Sequence, residues 1–297
     1  MHHQTSKNVQ TSIARREWKM ASEPMSFETE VIGDFATFVD RVLKTQDREW
    51  IYRGQDHKWP LSATLERSLK KRGICLSEAA KIEKHIIRDF RRKYRGDDLE
   101  LVKSDTFYCI ALLQHHGAPT RLLDWTYSPF VAAKFALEHD DRNPKDLHFP
   151  AIWCVNGRWC EQAAKKIAGE MLVMRRDNDE HRGNSSFIPL YMNPLGSAKF
   201  VLGETPLYLS ERIIVQQGKF LCPGDVSVSF EDNITAMDGS ERADNILKIQ
   251  LKMDDKNKRE FESALSRMNV NSAVLYPGLD GLAKSLGENI FHFQDLR

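Results

Sequence analysis

The sequence reads as an α+β protein. Three observations carry that reading. Short β-rich runs are scattered through the chain, such as Trp50-Ile51-Tyr52 and the alternating Ile246–Leu251. Amphipathic and all-apolar helical stretches lie between them. Their order is irregular, without the strict βαβ alternation of a doubly wound sheet.

Residues 1–27 are polar, of mixed charge and without a sustained period, and read as a flexible N-terminal arm; 28–297 then form a single domain. Phe35, Phe38, Val39 and Val42 recur at helical spacing over Phe35–Leu43. A strand follows through Tyr52 and Arg53. Ser77 is placed to cap a long helix whose inner face is Ala79, Ile82, Ile86, Phe90 and Tyr94. The rest of that helix carries Lys81, Lys84, Arg88, Arg91, Arg92, Lys93 and Arg95. This run is either a solvated face or a surface that attracts phosphates.

Residues 104–116 form the next helix, apolar all round from Phe107 to Leu113 and so buried. Gly117 terminates it. Arg121–Trp125 reads as a strand. Ser128 is an N-cap with Pro129 at the first helical position. In the helix that follows, Val131, Ala132, Phe135 and Ala136 face inward, while Lys134 and Glu138 are spaced to pair outside. Ala151–Val155 is a strand and Gly157–Ala168 a helix. Residues 169–206, rich in Arg, Asn, Gly and Pro clusters, read as an irregular insertion. Glu211–Gln217 reads as a core strand, broken by Gly218 and resumed at Phe220 and Leu221. Phe261, Ala264, Leu265 and Met268 give another helical stripe, and Val274–Tyr276 reads as short and extended.

Composition narrows the function. The 297 residues include 43 Lys and Arg against 42 Asp and Glu, a net charge of +1 that gives no overall attraction to nucleic acid and leaves only local basic surfaces. The five cysteines are scattered, none in a CxxC pair, so neither a disulfide framework nor a zinc knuckle is expected; the chain reads as cytoplasmic and reduced. No apolar run reaches the roughly 18 residues of a membrane span, and the N-terminus lacks the apolar core of a signal peptide. No membrane partner and no metal are expected.

The densest polar constellation is LLQHHGAPTRLLDWTYSPFVAAKFALEH, residues 112–139. It gathers Gln114, His115, His116, Thr120, Arg121, Asp124, Trp125, Thr126 and Ser128 at the junctions of buried elements, where functional polar groups commonly sit. Two readings stand side by side. In one, Asp124 pairs with Arg121 or Arg53, Ser128 only caps its helix and Trp125 is core. In the other, the strand-to-helix junction lines a cleft, Trp125 offers an aromatic face and the hydroxyls orient a polar ligand. Adjacent histidines diverge from a helix end and make a poor chelate. The sequence has no GxSxG elbow, no HExxH and no GxxxxGK[ST].

YRGQ at 52–55, LLQHHGAPTRLLDWTYSPFVAAKFAL at 112–137, RIIVQQGKFL at 212–221 and ALSRMNVNSAVLYPGLDGLA at 264–283 together resemble the FRG domain family. The layout also resembles the ADP-ribosyltransferase fold. That second resemblance implies a split, mostly antiparallel sheet flanked by helices, with NAD as substrate. It implies Arg53-Gly54 as the early-strand motif and DWTYSPFVAAKFA as the later strand and helix. Arg53, Thr126 and Gln217 then take catalytic roles. Arg53, Gly54, Gln55, His116, Thr120, Arg121, Asp124, Trp125 and Ser128 would hold the nucleotide.

In the family's third motif a strand carries a glutamate; this chain has Gln216-Gln217-Gly218 there, and the nearest glutamates in sequence are Glu204, Glu211 and Glu231. Chemically, an arginine fork suits phosphate, a glycine permits close backbone approach, and an aromatic ring can stack on a base. The expectation is an NAD-binding, ADP-ribosyltransferase-like enzyme acting on a protein or nucleic-acid acceptor, as a toxin or phage-defence effector. The alternatives are a nucleotide or nucleic-acid binding module without catalysis, or a hydrolase or nuclease built on His115, His116 and Asp124.

Overall fold

The computed structural model describes residues 27–45, 49–138, 149–169, 191–192, 198–206, 210–237 and 242–288. Seven strands form one sheet: β1 (Thr29–Ile32), β2 (Trp50–Gln55), β3 (Leu123–Thr126), β4 (Ala151–Asn156), β5 (Val201–Glu204), β6 (Gly218–Pro223) and β7 (Ile246–Leu251). Their spatial order is β1-β7-β4-β2-β3-β6-β5. Only β1 and β7 run parallel; every other pair is antiparallel. The α+β, mostly antiparallel architecture expected from the sequence is the one found.

Helices cover both faces. In chain order they include α1 (Phe35–Leu43), α2 (Thr64–Lys71), α3 (Ala79–Lys93), α4 (Leu99–Ser104), α5 (Thr106–His115), α6 (Pro129–Leu137) and α7 (Gly157–Ala168). They continue with α8 (Glu211–Val215), α9 (Phe230–Thr235), α10 (Arg242–Asn245), α11 (Asp255–Arg267), α12 (Ser272–Leu275) and α13 (Leu279–Glu288). The period-two alternation of the central strands feeds two cores. Ile51 and Val155 join the core beneath α5 and α7; Tyr52 and Cys154 join the core beneath α1, α6 and α11.

Gly54 sets how closely α6 lies on β2. A Cβ at this position would sit 1.9 Å from the Ala132 carbonyl oxygen and 2.6 Å from the Ala136 amide nitrogen. The glycine is thus required by the helix backbone, and Ala132, Ala133 and Ala136 are the small residues that let that backbone descend. The sequence reading had assigned that clearance to a ligand.

Several local expectations are corrected. Residues 211–217 are not a strand. The Ser210 hydroxyl accepts from the Ile213 amide and starts helix α8, and Ile214 is 57% exposed; the local cap wins over the β-branched run. Of Val274–Tyr276, only Tyr276 is extended: the Asn271 side chain caps α12, which takes in Val274 and Leu275. Strand β3 begins at Leu123, after Arg121. Ser77 does not cap α3, which is entered through a 3₁₀ turn at Leu76–Glu78. The expected inner face of α3 does pack on the cores through Ala79, Ile82, Ile86, Phe90 and Tyr94, and the buried Glu83 and Ile87 join it. Lys134 and Glu138 do not pair with each other. Lys134 reaches Glu288 at 2.7 Å and Glu138 binds Lys284 and Tyr276, so both fasten α6 to the C-terminal helices.

At the N-terminal boundary, Phe27 packs edge-on against Trp153 with ring centroids 4.9 Å apart; the rest of the proposed arm, 1–26, lies outside the described residues. Within the stretch read as an insertion, 170–190 and 193–197 lie outside them too, but 201–204 form edge strand β5 with Val201 and Leu202 buried. Among the described residues, no helix is long and apolar enough to cross a membrane.

Candidate functional site

Strands β2 and β3 are neighbours joined at a single pair, Tyr52 and Thr126. Beyond it β2 continues through Arg53, Gly54 and Gln55 on β4, while Asp124 and Trp125 stay on β6. The sheet splits there, and a cavity of about 720 Å³ opens along the split. That volume lies in the range of small-molecule sites. Its walls come from β2, β3, α5, the end of α6, the α8–β6 turn and Tyr276.

Arg53 crosses the split. Its Nη1 donates to the backbone carbonyl of Asp124 at 2.7 Å, and its Nε is buried without a partner. Among the described residues no carboxylate forms an ion pair with Arg53. Burial lowers its tendency to hold its proton, the Asp124 charge opposes that, and Arg67 adds to it. Arg67 lines the same cavity and is lowered by burial as well, against the attraction of Glu66 and Asp124. Two cations thus face one space without a carboxylate holding either.

The polar floor is under-satisfied in a concentrated way. Buried side-chain atoms without a hydrogen-bond partner include Arg53 Nε, Gln55 Oε1, Ser62 Oγ and Trp125 Nε1, and all four residues line this cavity. Buried polar atoms are nearly always paired, so four orphans at one place mark it as built to be filled by polar groups. At the mouth, Trp59 is 54% exposed and stacks on His57, the rings 4.4 Å apart and 8° from parallel.

Three acids line the cavity: Asp56, Asp124 and Glu138. Asp124 is exposed and accepts from Gln114 Nε2 at 2.8 Å; Gln114 in turn accepts from the Thr120 hydroxyl. Glu138 is engaged by the Tyr276 hydroxyl at 2.7 Å and by Lys284. Burial and that carboxylate push the Tyr276 phenol well above its ordinary range. His115 is held below the ordinary histidine value by partial burial, Arg212 and His116, against the opposing pull of Asp124.

Of the residues singled out from sequence, the cavity brings together Arg53, Gly54, Gln55, Gln114, His115, Asp124, Trp125 and Thr126. The Thr126 hydroxyl is already used twice: it donates to the Gln216 carbonyl and accepts from the Ser128 amide. His116, Thr120, Arg121, Ser128 and Gln217 do not line the cavity. Ser128 caps α6, accepting from the Val131 amide. Arg121 is 1% exposed and forms a two-pronged pair with Glu83 across α3, with Nε 2.9 Å from both carboxylate oxygens. Burial alone would depress that guanidinium, and Glu83 more than reverses it.

Gln217 is exposed, with φ 48°, in the turn before β6; its neighbour Gln216 lines the cavity and donates to the Leu275 carbonyl at 2.9 Å. Glu204, Glu211 and Glu231 do not reach the cavity: Glu204 accepts from Tyr191, Glu231 from the Leu61 amide, and Glu211 sits exposed in the first turn of α8. Among the described residues no group of three or more His, Cys, Asp or Glu could hold a metal ion.

The sequence reading missed Arg67, Glu138, Gln216 and Tyr276. Only the blocks around 52–55, 112–137, 212–221 and 264–283 hinted at the last three, by placing distant segments in one pattern. Residues 48–145, about a third of the chain, match the family model of the FRG domain, which bears out the resemblance read from the 52–55 and 112–137 blocks. Neither a curated protein nor a solved structure matches the chain.

Proposed function

We propose that this FRG-domain protein binds a nucleotide in the split between β2 and β3 and consumes NAD there, as an enzyme of the ADP-ribosyltransferase or NAD glycohydrolase type. One observation carries the reading: Arg53 and Arg67, neither held by a carboxylate, share a cavity of nucleotide size with four buried polar atoms that lack partners. Arg53 and Arg67 would take the pyrophosphate. Trp59, braced by His57, would stack on a ring at the mouth.

In the reaction the bond from C1′ of the nicotinamide ribose to the ring nitrogen breaks and its electron pair leaves with nicotinamide. C1′ then bonds to an acceptor oxygen, nitrogen or sulfur, which releases its proton; water as acceptor gives ADP-ribose. The positive charge that builds at C1′ calls for a nearby carboxylate. The Gln216-Gln217-Gly218 turn supplies none, and we assign that role to Asp124, the exposed acid of the cavity. A macromolecular acceptor and a role as a toxin or phage-defence effector in the cytoplasm belong to the same reading.

A second reading, a nucleotide-binding module without turnover, is favoured by one feature. Glu138, the glutamate of the cavity, is neutralised by Lys284 and tied to Tyr276. Incubation of the full chain with labelled NAD, following nicotinamide release and label transfer, separates the two. Release above background, lost in Asp124→Asn, supports the enzyme. NAD-induced thermal stabilisation without release supports the module. Neither effect removes the nucleotide reading altogether.

A further inference from the structure

Helix α3 lies away from the cavity residues and carries a charge pattern that the proposed activity does not use. Residues 81–95 hold seven of the chain's Lys and Arg, in a protein whose net charge is +1. Of the two acids in the same stretch, Glu83 is buried against Arg121, leaving Asp89 as the exposed one. Lys81, Lys84, Arg88 and Arg92 recur at intervals of three or four residues, so they line one face, and Arg95 follows just past the helix end. The opposite face is the buried one, with Ala79, Glu83 and Ile87.

Those cations are weakly compensated. Lys93 and Arg88 approach Asp89 at 3.9 and 4.0 Å, and Lys81 approaches Glu78 at 3.9 Å, all on exposed side chains. Among the described residues Lys84 and Arg92 form no ion pair. Arg91 is anchored, donating to the Val102 carbonyl and the Thr106 hydroxyl. Beside the stripe runs an open groove of about 460 Å³, walled by Lys84, Arg88, Arg91 and Arg92 over Ile87 and Thr106.

We propose that this face of α3 docks the sugar-phosphate backbone of a nucleic acid, without reading its sequence. From Lys81 to Arg92 the helix rises roughly 16 Å, which spans about five phosphates of one duplex strand. Guanidinium forks fit phosphate oxygens, and Arg88 and Arg92 supply them on this face. A membrane surface is the poorer fit, because an interfacial helix needs a free apolar face and the apolar face of α3 is spent on the core. The inference is independent of NAD chemistry, and its test contains no NAD.

The test measures binding of the full chain to a fluorescent 20-base-pair DNA duplex and a 20-nucleotide RNA by anisotropy, from 50 to 200 mM salt. For the duplex, wild type is expected to lose roughly 250-fold in affinity across that range, a log–log slope of about −4. The exposed-site variant Lys84→Gln/Arg88→Gln/Arg92→Gln is expected to bind at least 10-fold more weakly at 50 mM, with a slope of about −1. Single variants Lys84→Gln and Arg92→Gln should each lower the slope by about one. The control Lys256→Gln/Arg259→Gln/Arg267→Gln removes the same charge from α11 and should leave both quantities unchanged. A control that loses as much as the α3 triple overturns the proposal. So does undetectable wild-type binding at 50 mM salt. Equal competition by a poly-glutamate peptide of matched charge would overturn the phosphate assignment.

Discussion

Arg53 on β2 donates from Nη1 to the main-chain carbonyl of Asp124 on β3, 2.7 Å away, across the point where the two strands part. The acceptor is a neutral carbonyl rather than the Asp124 carboxylate. The guanidinium therefore helps to fix the width of the cavity and keeps its remaining N–H groups for something else. It also means that removing the fork leaves no buried carboxylate stranded.

Arg53→Lys should accordingly separate binding from stability. Lysine keeps the charge and loses the planar fork. With ADP-ribose as the probe, affinity is expected to fall at least 10-fold by calorimetric titration. The unfolding free energy should drop by about 1.5–3 kcal/mol at most, the scale of one hydrogen bond from a charged donor. A loss on the order of 4 kcal/mol with unchanged affinity would make Arg53 a structural residue.

Gly54→Ala should act in the opposite sense, mainly on the fold. The added methyl meets main-chain atoms of α6 at 1.9 and 2.6 Å, and a backbone cannot rotate away as a side chain can. Denaturant unfolding should show a loss of about 3 kcal/mol or more. Near-native stability with lost ligand binding would return this glycine to the role that the sequence alone suggested.

Arg121 and Glu83 offer a double-mutant cycle. Glu83→Gln strands a buried guanidinium and should cost about 3–5 kcal/mol, while Arg121→Met/Glu83→Leu should recover most of that loss. Ligand affinity of the double variant should match wild type, since neither residue lines the cavity. An affinity loss in the double variant at full stability would contradict that placement.

Residue patterns made much of this legible. Short apolar runs marked β2 and β4, an alternating run marked β7, and Gly157–Ala168 read correctly as a helix. Where local chemistry competes with propensity, the pattern misled: Ser210 and Asn271 each supply a cap that turns a β-branched stretch into helix. Arg121 and Asp124 look alike as polar residues flanking an apolar pair. Burial assigns one to Glu83 and the other to the cavity, and burial depends on contacts across 38 residues of sequence. Arg67 gave no signal, because its helix, α2, faces the cavity only through tertiary packing.

The cavity should bind anions more tightly in acid. His115 lies below its ordinary value of 6.5, so it is neutral at pH 7.5 and gains charge as the pH falls beneath that value. The proton adds positive charge near Arg212, in the cavity that Arg53 also lines, and a bound pyrophosphate would raise the His115 value in turn, so affinity must rise as pH drops. Titrations with ADP-ribose should show several-fold tighter binding at pH 5.5 than at 7.5, and His115→Gln should flatten the profile. A profile that steepens in the variant would assign the effect elsewhere.

Gln216 and Gln217 provide the sharpest test of which side of the turn faces the chemistry. Gln216 lines the cavity with its amide nitrogen on the Leu275 carbonyl, whereas Gln217 is exposed at φ 48° and contributes its carbonyl to the Tyr127 amide. A hydrogen-bonding group that acts in the transition state is worth on the order of 10²-fold in rate. Gln216→Ala should therefore lower nicotinamide release by about that factor. Gln217→Gly should leave release unchanged and stability within about 1 kcal/mol, because glycine accepts the left-handed backbone without strain. Gln217→Glu places its carboxylate outside the cavity and should not raise turnover. If Gln217→Glu instead gains turnover while Gln216→Ala loses none, the reacting ribose lies on the far side of the turn and the assignment of Asp124 fails with it.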